Sequence, residues 1–281
     1  MERIRVKTLK SHEISVHFFE SQQPIDEVVV IVSATGVRQQ YYAYFADYLA
    51  ENGFHVFSFD YTGIGESITK PLEKEQTTAV EWASNDLESV IQCAVERFPH
   101  HKIHLIGHSI GGQIIGFAPS AVRISNMLTV ASQSGYWGLW KGYSRYAYWT
   151  IWNLVVPVSL KIFGYLPSKS IMGMENLPKN MAKQWSGWCK HKNYFVDTID
   201  QDQRYHHLIK STLFSFSLEG DNFAPQQAVD WLAAQYSNSV VHRIHLHPKD
   251  YDINKIGHFD VFRLHSKPTI WPVLLKSLKN T

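Results

Sequence analysis

Between residues 27 and 130 the sequence alternates short apolar runs with segments of helical periodicity. Residues 27–33 (Glu-Val-Val-Val-Ile-Val-Ser) form a short, nearly continuous apolar run, the pattern of a strand buried on both faces, and residues 54–59 and 101–106, with polar residues interspersed, read as buried strands too. Residues 39–52 place Tyr42, Phe45, Ala46 and Leu49 on one helical face, with Gly53 where a helix should end. Residues 78–98 give the strongest helical pattern, closed by Pro99, and residues 122–130 read as a fourth strand. Two further strands, residues 3–9 and 15–19, come first. Such alternation builds βαβ crossovers and therefore a parallel sheet. The predicted fold class is α/β, with a mostly parallel central sheet and helices on both faces.

The pattern breaks over residues 133–205, which hold six of the nine tryptophans and no evident buried strand. This segment is expected to be a helical, aromatic-rich cap inserted before the last two strands. The core resumes with a strand at 211–218, a helix at 225–236, a strand at 239–247 and a helix at 267–278. Residues 1–132 and 206–281 thus form the core domain, and 133–205 the cap. Residues 146–166 are apolar enough to raise the question of a membrane span on length alone. Lys161 lies inside this stretch and Pro157 interrupts it. The expectation is a buried or interfacial helix pair broken at Pro157, with peripheral membrane contact through the cap left open.

Hydrophobic residues make up 44% of the chain, which fits a large core and excludes a disordered chain. A net charge of +2 is too balanced for a nucleic-acid field. Two cysteines, Cys93 and Cys189, exclude a disulfide framework and point to a reducing, cytoplasmic setting. Charges interrupt the first residues, so no signal-peptide run is read there. The histidine clusters (100, 101, 104 and 242, 245, 247) match no ligand motif, and no metal or cofactor is expected. The loop at 60–67 has Gly63 and Gly65 but Ile68 in the third glycine position, so it is not a dinucleotide site.

Gly107-His108-Ser109-Ile110-Gly111-Gly112 fits G-x-S-x-G between a buried strand and a helix. A nucleophile on so sharp a turn needs glycines beside it, because side chains there would collide. The helix starting at Ile110 turns its positive end toward the reaction centre, and the Ile110 amide is placed to donate to an oxyanion. The competing reading of Ser109 is a simple helix cap.

Together with residues 33–42, 59–67, 219–225 and 256–259, this motif resembles the α/β-hydrolase superfamily. The similarity is to the lid-bearing branch of monoacylglycerol-lipase-like and serine-aminopeptidase-like proteins and to a group of bacterial predicted hydrolases. The resemblance implies the order nucleophile, acid, histidine. It assigns Ser109 as nucleophile, His258 in Ile256-Gly-His-Phe as base, and Asp221 in Glu219-Gly-Asp-Asn-Phe-Ala-Pro as acid, with Glu219 the nearest competitor. The loop after the first buried strand should supply the second oxyanion donor, the Thr35 amide. Tyr136, Trp137, Trp140 and Trp185 are the expected substrate-binding aromatics. The implied function is a serine hydrolase of a small apolar ester or thioester. An acyltransferase using the same triad and a ligand-binding protein that keeps the fold are the alternatives.

Overall fold

β1 (Glu2–Lys7) and β2 (Glu13–Phe19) form an antiparallel hairpin at one edge of the sheet. β3 (Glu27–Val32), β4 (His55–Phe59), β5 (Lys102–His108) and β6 (Asn126–Val130) follow in the chain. β7 (Tyr165–Leu166) and β8 (Leu177–Pro178) make a separate two-stranded ribbon. β9 (Thr212–Leu218) and β10 (Val240–Leu246) return to the main sheet. Its order is β1-β2-β4-β3-β5-β6-β9-β10, antiparallel up to β4 and parallel from there on. The computed structural model describes residues 1–279.

β3 is apolar from Val28 onward because it feeds two cores. Val28, Val30 and Val32 of β3 point into one cluster, Val29 and Ile31 into the other. α1 (Ala43–Glu51) buries Phe45, Ala46 and Leu49 in the second. α2 (residues 79–97) starts at a capping box. The Glu81 amide donates to Thr78 Oγ1 at 3.2 Å, and the Thr78 amide donates to Glu81 Oε2 at 2.8 Å. α2 contains a π turn at Trp82–Leu87 that periodicity alone does not reveal. The strand expected at 122–130 is shorter, because Pro119 opens a 3-10 turn over Pro119–Arg123 and pairing begins at Asn126.

α3 (Ile110–Ile114) follows β5 directly. Beyond β6 the chain enters α4 (residues 144–163), where the expected break at Pro157 does not occur. Ser144–Thr150 runs into a π turn at Ile151–Val155 and then into Val156–Phe163. A proline lacks one N–H and crowds the carbonyl four residues back. The wider π turn just ahead of Pro157 loosens the ladder where the ring needs room. Gly164, at φ +76°, ends the helix. α5 (Lys179–Trp188) and α6 (Gln226–Ala233) come next. α7 (Trp271–Lys279) starts later than the expected residue 267, after a 3-10 turn at Leu264–Ser266. Among the described residues no helix is long and apolar enough to cross a membrane.

Candidate active site

The six parallel strands deliver their loops to the edge where their carboxyl ends lie, the usual place for a site in an open α/β sheet. The β5–α3 turn carries Ser109 at φ +53° and ψ −120°, a strained conformation for a residue with a side chain. Neighbouring contacts hold it there. The Ser109 amide donates to the Val130 carbonyl at 3.0 Å, and the Gly112 amide to the Ser109 carbonyl at 3.2 Å. A side chain on Gly107 would place its Cβ 2.5 Å from Gly112 Cα, and one on Gly111 would strike the Val32 carbonyl. The glycines of the motif are therefore set by close backbone approach.

Asp221 lies three residues beyond β9, and His258 lies in the loop between β10 and α7. His258 Nδ1 is 2.7 Å from Asp221 Oδ2, with the two side chains 4% and 1% exposed. Asp221 Oδ1 accepts from the Phe223 amide at 2.8 Å and the Ala224 amide at 3.2 Å, so the carboxylate is fixed at both oxygens. A hydrogen on His258 Nδ1 leaves Nε2 free to accept a proton. The rings of Phe259 and Phe223, 4.9 and 5.3 Å from the imidazole, keep water from that pair. Glu219, the competing acid, sits beside the exposed His247 instead.

Ser109 and His258 line one cavity, which Thr35 also lines. The Ile110 amide, first in α3, has no partner within its own helix. Thr35 is buried, and among the described residues its hydroxyl has no hydrogen-bond partner. The rest of the wall is mainly aromatic: Trp140, Tyr148, Trp152, Trp185, Phe223 and Phe259. Of the four aromatics expected at the substrate, Trp140 and Trp185 line this cavity. Tyr136 and Trp137 do not; their rings pack on one another at 5.5 Å, and Arg145 lies over Trp137. Sequence reasoning missed Tyr148, Ile151 and Trp152, whose helical spacing puts them on one face of α4.

Polar contacts tie the aromatic-rich segment 133–205 to the loops around Ser109 and Asp221. Trp140 Nε1 and Tyr148 Oη both donate to the Asn222 carbonyl, at 2.8 and 3.0 Å. Burial, with the nearby Asp221 charge adding to it, pushes the Tyr148 hydroxyl up to about 12, so it keeps its proton. Trp185 Nε1 donates to Tyr194 Oη, which donates to Gln113 Oε1 on α3 at 2.7 Å.

The sequence pattern of the serine aminopeptidase (S33) hydrolase family matches residues 23–232. The chain belongs to this family. It is a serine hydrolase with the α/β-hydrolase fold, as the sequence pattern predicted. No curated protein sequence matches it. Among solved structures it is similar to an esterase from Exiguobacterium antarcticum, with a TM-score of 0.64, 15% identity, and 99% of this chain and 100% of that one covered. A thermophilic esterase from Thermogutta terrifontis has a TM-score of 0.62 at 14% identity, over 99% and 98% of the two chains. An esterase from Pyrococcus furiosus has a TM-score of 0.61 at 13% identity, over 99% and 91%. At such identities these likenesses speak to the fold of this hydrolase alone.

Proposed function

We propose that this hydrolase cleaves a small apolar carboxylic ester or thioester through an acyl-enzyme at Ser109. The observation that carries the reading is the buried Asp221–His258 hydrogen bond at the wall of the cavity that Ser109 lines. Ser109 Oγ attacks the acyl carbon while its proton passes to His258 Nε2. The carbonyl π pair moves onto oxygen, where the Ile110 and Thr35 amides receive the charge; one such donor contributes about 3–4 kcal/mol. The intermediate collapses, the acyl–oxygen (or acyl–sulfur) bond breaks, and the leaving group takes the proton from His258. Water then attacks the acyl-enzyme, giving its proton to His258, and the acid departs as Ser109 regains its hydrogen. Asp221 orients the ring and stabilises the imidazolium. The esterases among the structural neighbours support an ester substrate, and the aromatic wall supports an apolar one. The described lining has no Lys or Arg for the phosphates of an acyl-CoA donor, which favours water over an alcohol as acceptor. A fluorophosphonate should label Ser109 and fail on Ser109→Ala; labelling that survives the substitution overturns the assignment.

The same reading places the enzyme in the cytoplasm, in keeping with two unpaired cysteines, and at an anionic membrane surface. α4 is apolar on both sides. Tyr148, Ile151 and Trp152 face the cavity, while Tyr146, Trp149, Leu154, Val158, Ile162 and Phe163 are exposed. Exposed Lys141, Arg145 and Lys161 lie along it, and residues 134–174 contain no carboxylate. An outward face of Trp, Tyr and aliphatic side chains among cations complements anionic lipid headgroups. Vesicles containing phosphatidylglycerol should sediment the protein, and Trp149→Glu/Ile162→Glu should abolish this. Failure to bind such vesicles refutes the surface reading and leaves the chemistry standing.

A further inference from the structure

Three buried hydrogen bonds run from the oxyanion loop to the histidine loop. The Ala34 amide donates to Tyr42 Oη at 2.8 Å. Tyr42 Oη lies 2.9 Å from His108 Nδ1. His108 Nε2 lies 2.9 Å from the backbone carbonyl oxygen of His258. Tyr42 and His108 have no exposed surface.

Elementary donor and acceptor chemistry fixes the direction of the whole chain. A carbonyl oxygen only accepts, so His108 Nε2 carries a hydrogen. Burial pushes the His108 pKa well below its usual value, so the ring is neutral and Nδ1 is a bare acceptor. Tyr42 must therefore donate to Nδ1, and its oxygen is left to accept from Ala34. Burial also holds the Tyr42 hydroxyl far above its ordinary pKa, so the donor hydrogen stays in place.

The three ends of this chain are not arbitrary. Ala34 immediately precedes Thr35, His108 immediately precedes Ser109, and the last acceptor belongs to His258 itself. These loops lie far apart in sequence, and none of the bonds belongs to the strand ladder. We infer that Tyr42 and His108 are positioning residues. Their relay fixes the backbone of the base relative to the nucleophile turn and the oxyanion loop, and so fixes where the His258 imidazole stands. The inference rests on the proposed Ser109–His258–Asp221 assignment. The competing account is packing alone, because Phe262 lies against both rings, at 5.1 Å from Tyr42 and 4.9 Å from His108.

Three variants separate the two accounts in the full-length enzyme. Tyr42→Phe keeps the ring and removes one oxygen. His108→Asn puts a polar atom near the Nδ1 position and loses the reach to His258. His108→Gln reaches the Nε2 position and can still donate to the His258 carbonyl. With a nitrophenyl ester as probe, Tyr42→Phe and His108→Asn should lower kcat on the order of 10²-fold with KM little changed, since a displacement of about 1 Å is worth that much. His108→Gln should recover most of the loss. The Tyr42→Phe/His108→Asn pair should be no slower than His108→Asn alone, because members of one relay are not additive. Thermal melts run alongside, and if the His108 variants do not fold, Tyr42→Phe decides alone. Unchanged kcat in folded Tyr42→Phe overturns the inference, as do equal losses for Gln and Asn or multiplicative losses in the pair. Ser109→Ala in the labelling assay tests the underlying triad separately, so failure of the relay and failure of the triad are told apart.

Discussion

Replacing Asp221 by Asn tests the proposed acid with the least change in shape. The outcome follows from which oxygen does what. Oδ1 takes two backbone amides, from Phe223 at 2.8 Å and Ala224 at 3.2 Å, whereas Oδ2 lies 2.7 Å from His258 Nδ1. An asparagine keeps its oxygen at the two amides, since turning it would set an NH2 against two N–H donors. Its NH2 is then left facing His258 Nδ1. Two donors cannot share a hydrogen bond, so the imidazole moves its hydrogen to Nε2 and presents a bare Nδ1 to the new amide. Nε2, the nitrogen that the proposed mechanism uses as base, then cannot accept the serine proton. The expected loss is about 10⁴-fold in kcat, the scale known for the same change in another serine hydrolase triad, or about 5 kcal/mol of transition-state stabilisation. KM should barely move, because Asp221 is not among the cavity-lining residues. Steady-state hydrolysis of short nitrophenyl esters measures both constants, with a thermal melt to confirm folding. A folded Asp221→Asn enzyme within tenfold of wild-type kcat would falsify the assignment of this residue as the acid.

Two further outcomes follow from buried groups. His206 donates through Nε2 to the Gln113 carbonyl at 3.0 Å, and burial lowers its pKa to about 4, far below that of an unfolded histidine. Between those values the unfolded chain binds the extra proton and the folded one does not. Stability is therefore full above pH 6.5 and falls as pH drops to 4, by up to about 3 kcal/mol. His206→Gln, which can keep the donor, should flatten that slope in urea titrations at pH 4, 5 and 7; an identical slope in the variant removes His206 as its source. Trp152 is buried in the cavity wall with its indole N–H unpaired. Trp152→Ala should cost about 3–5 kcal/mol of stability and shift the preferred acyl length upward in an ester panel, whereas an unchanged length profile would place the acyl group elsewhere.

The sheet was legible because its middle strands have no solvent face. A run such as Val28 to Val32 supplies two cores by turns, and only a strand buried on both sides has that composition. The sharp β5–α3 turn that carries Ser109, the proposed nucleophile, was legible because close backbone approach there demands glycines at fixed offsets. Asp221 and His258 were assigned by chain order, and the structure brings them into contact across 37 residues. The helix through Pro157 was misread because periodicity carries no sign of a π turn that makes room for the ring. The inward face of α4 was missed for a different reason. Its outward side is apolar too, so the hydrophobic pattern gave no direction, and Tyr136 and Trp137 stood out by density alone. The Tyr42–His108 contact joins residues 66 apart, and no spacing rule connects them.

The loop that carries Asp221 is where the main sheet meets the aromatic-rich segment 133–205. Within residues 221–224, Asp221 holds His258, the Phe223 and Ala224 amides hold Asp221, and the Asn222 carbonyl accepts from both Trp140 and Tyr148. Gln133, from the loop after β6, adds a bond to the Phe223 carbonyl at 3.2 Å. Two of these three external donors come from aromatic rings that also wall the cavity. Each bond is worth only about 0.5–1.5 kcal/mol net, yet all three end on one short segment, so they restrain it together. The contacts that set the cavity wall therefore also steady the loop that holds His258, the proposed base. Trp140 and Tyr148 are thereby joined through Asn222 to the segment that carries Asp221 and, through it, to His258.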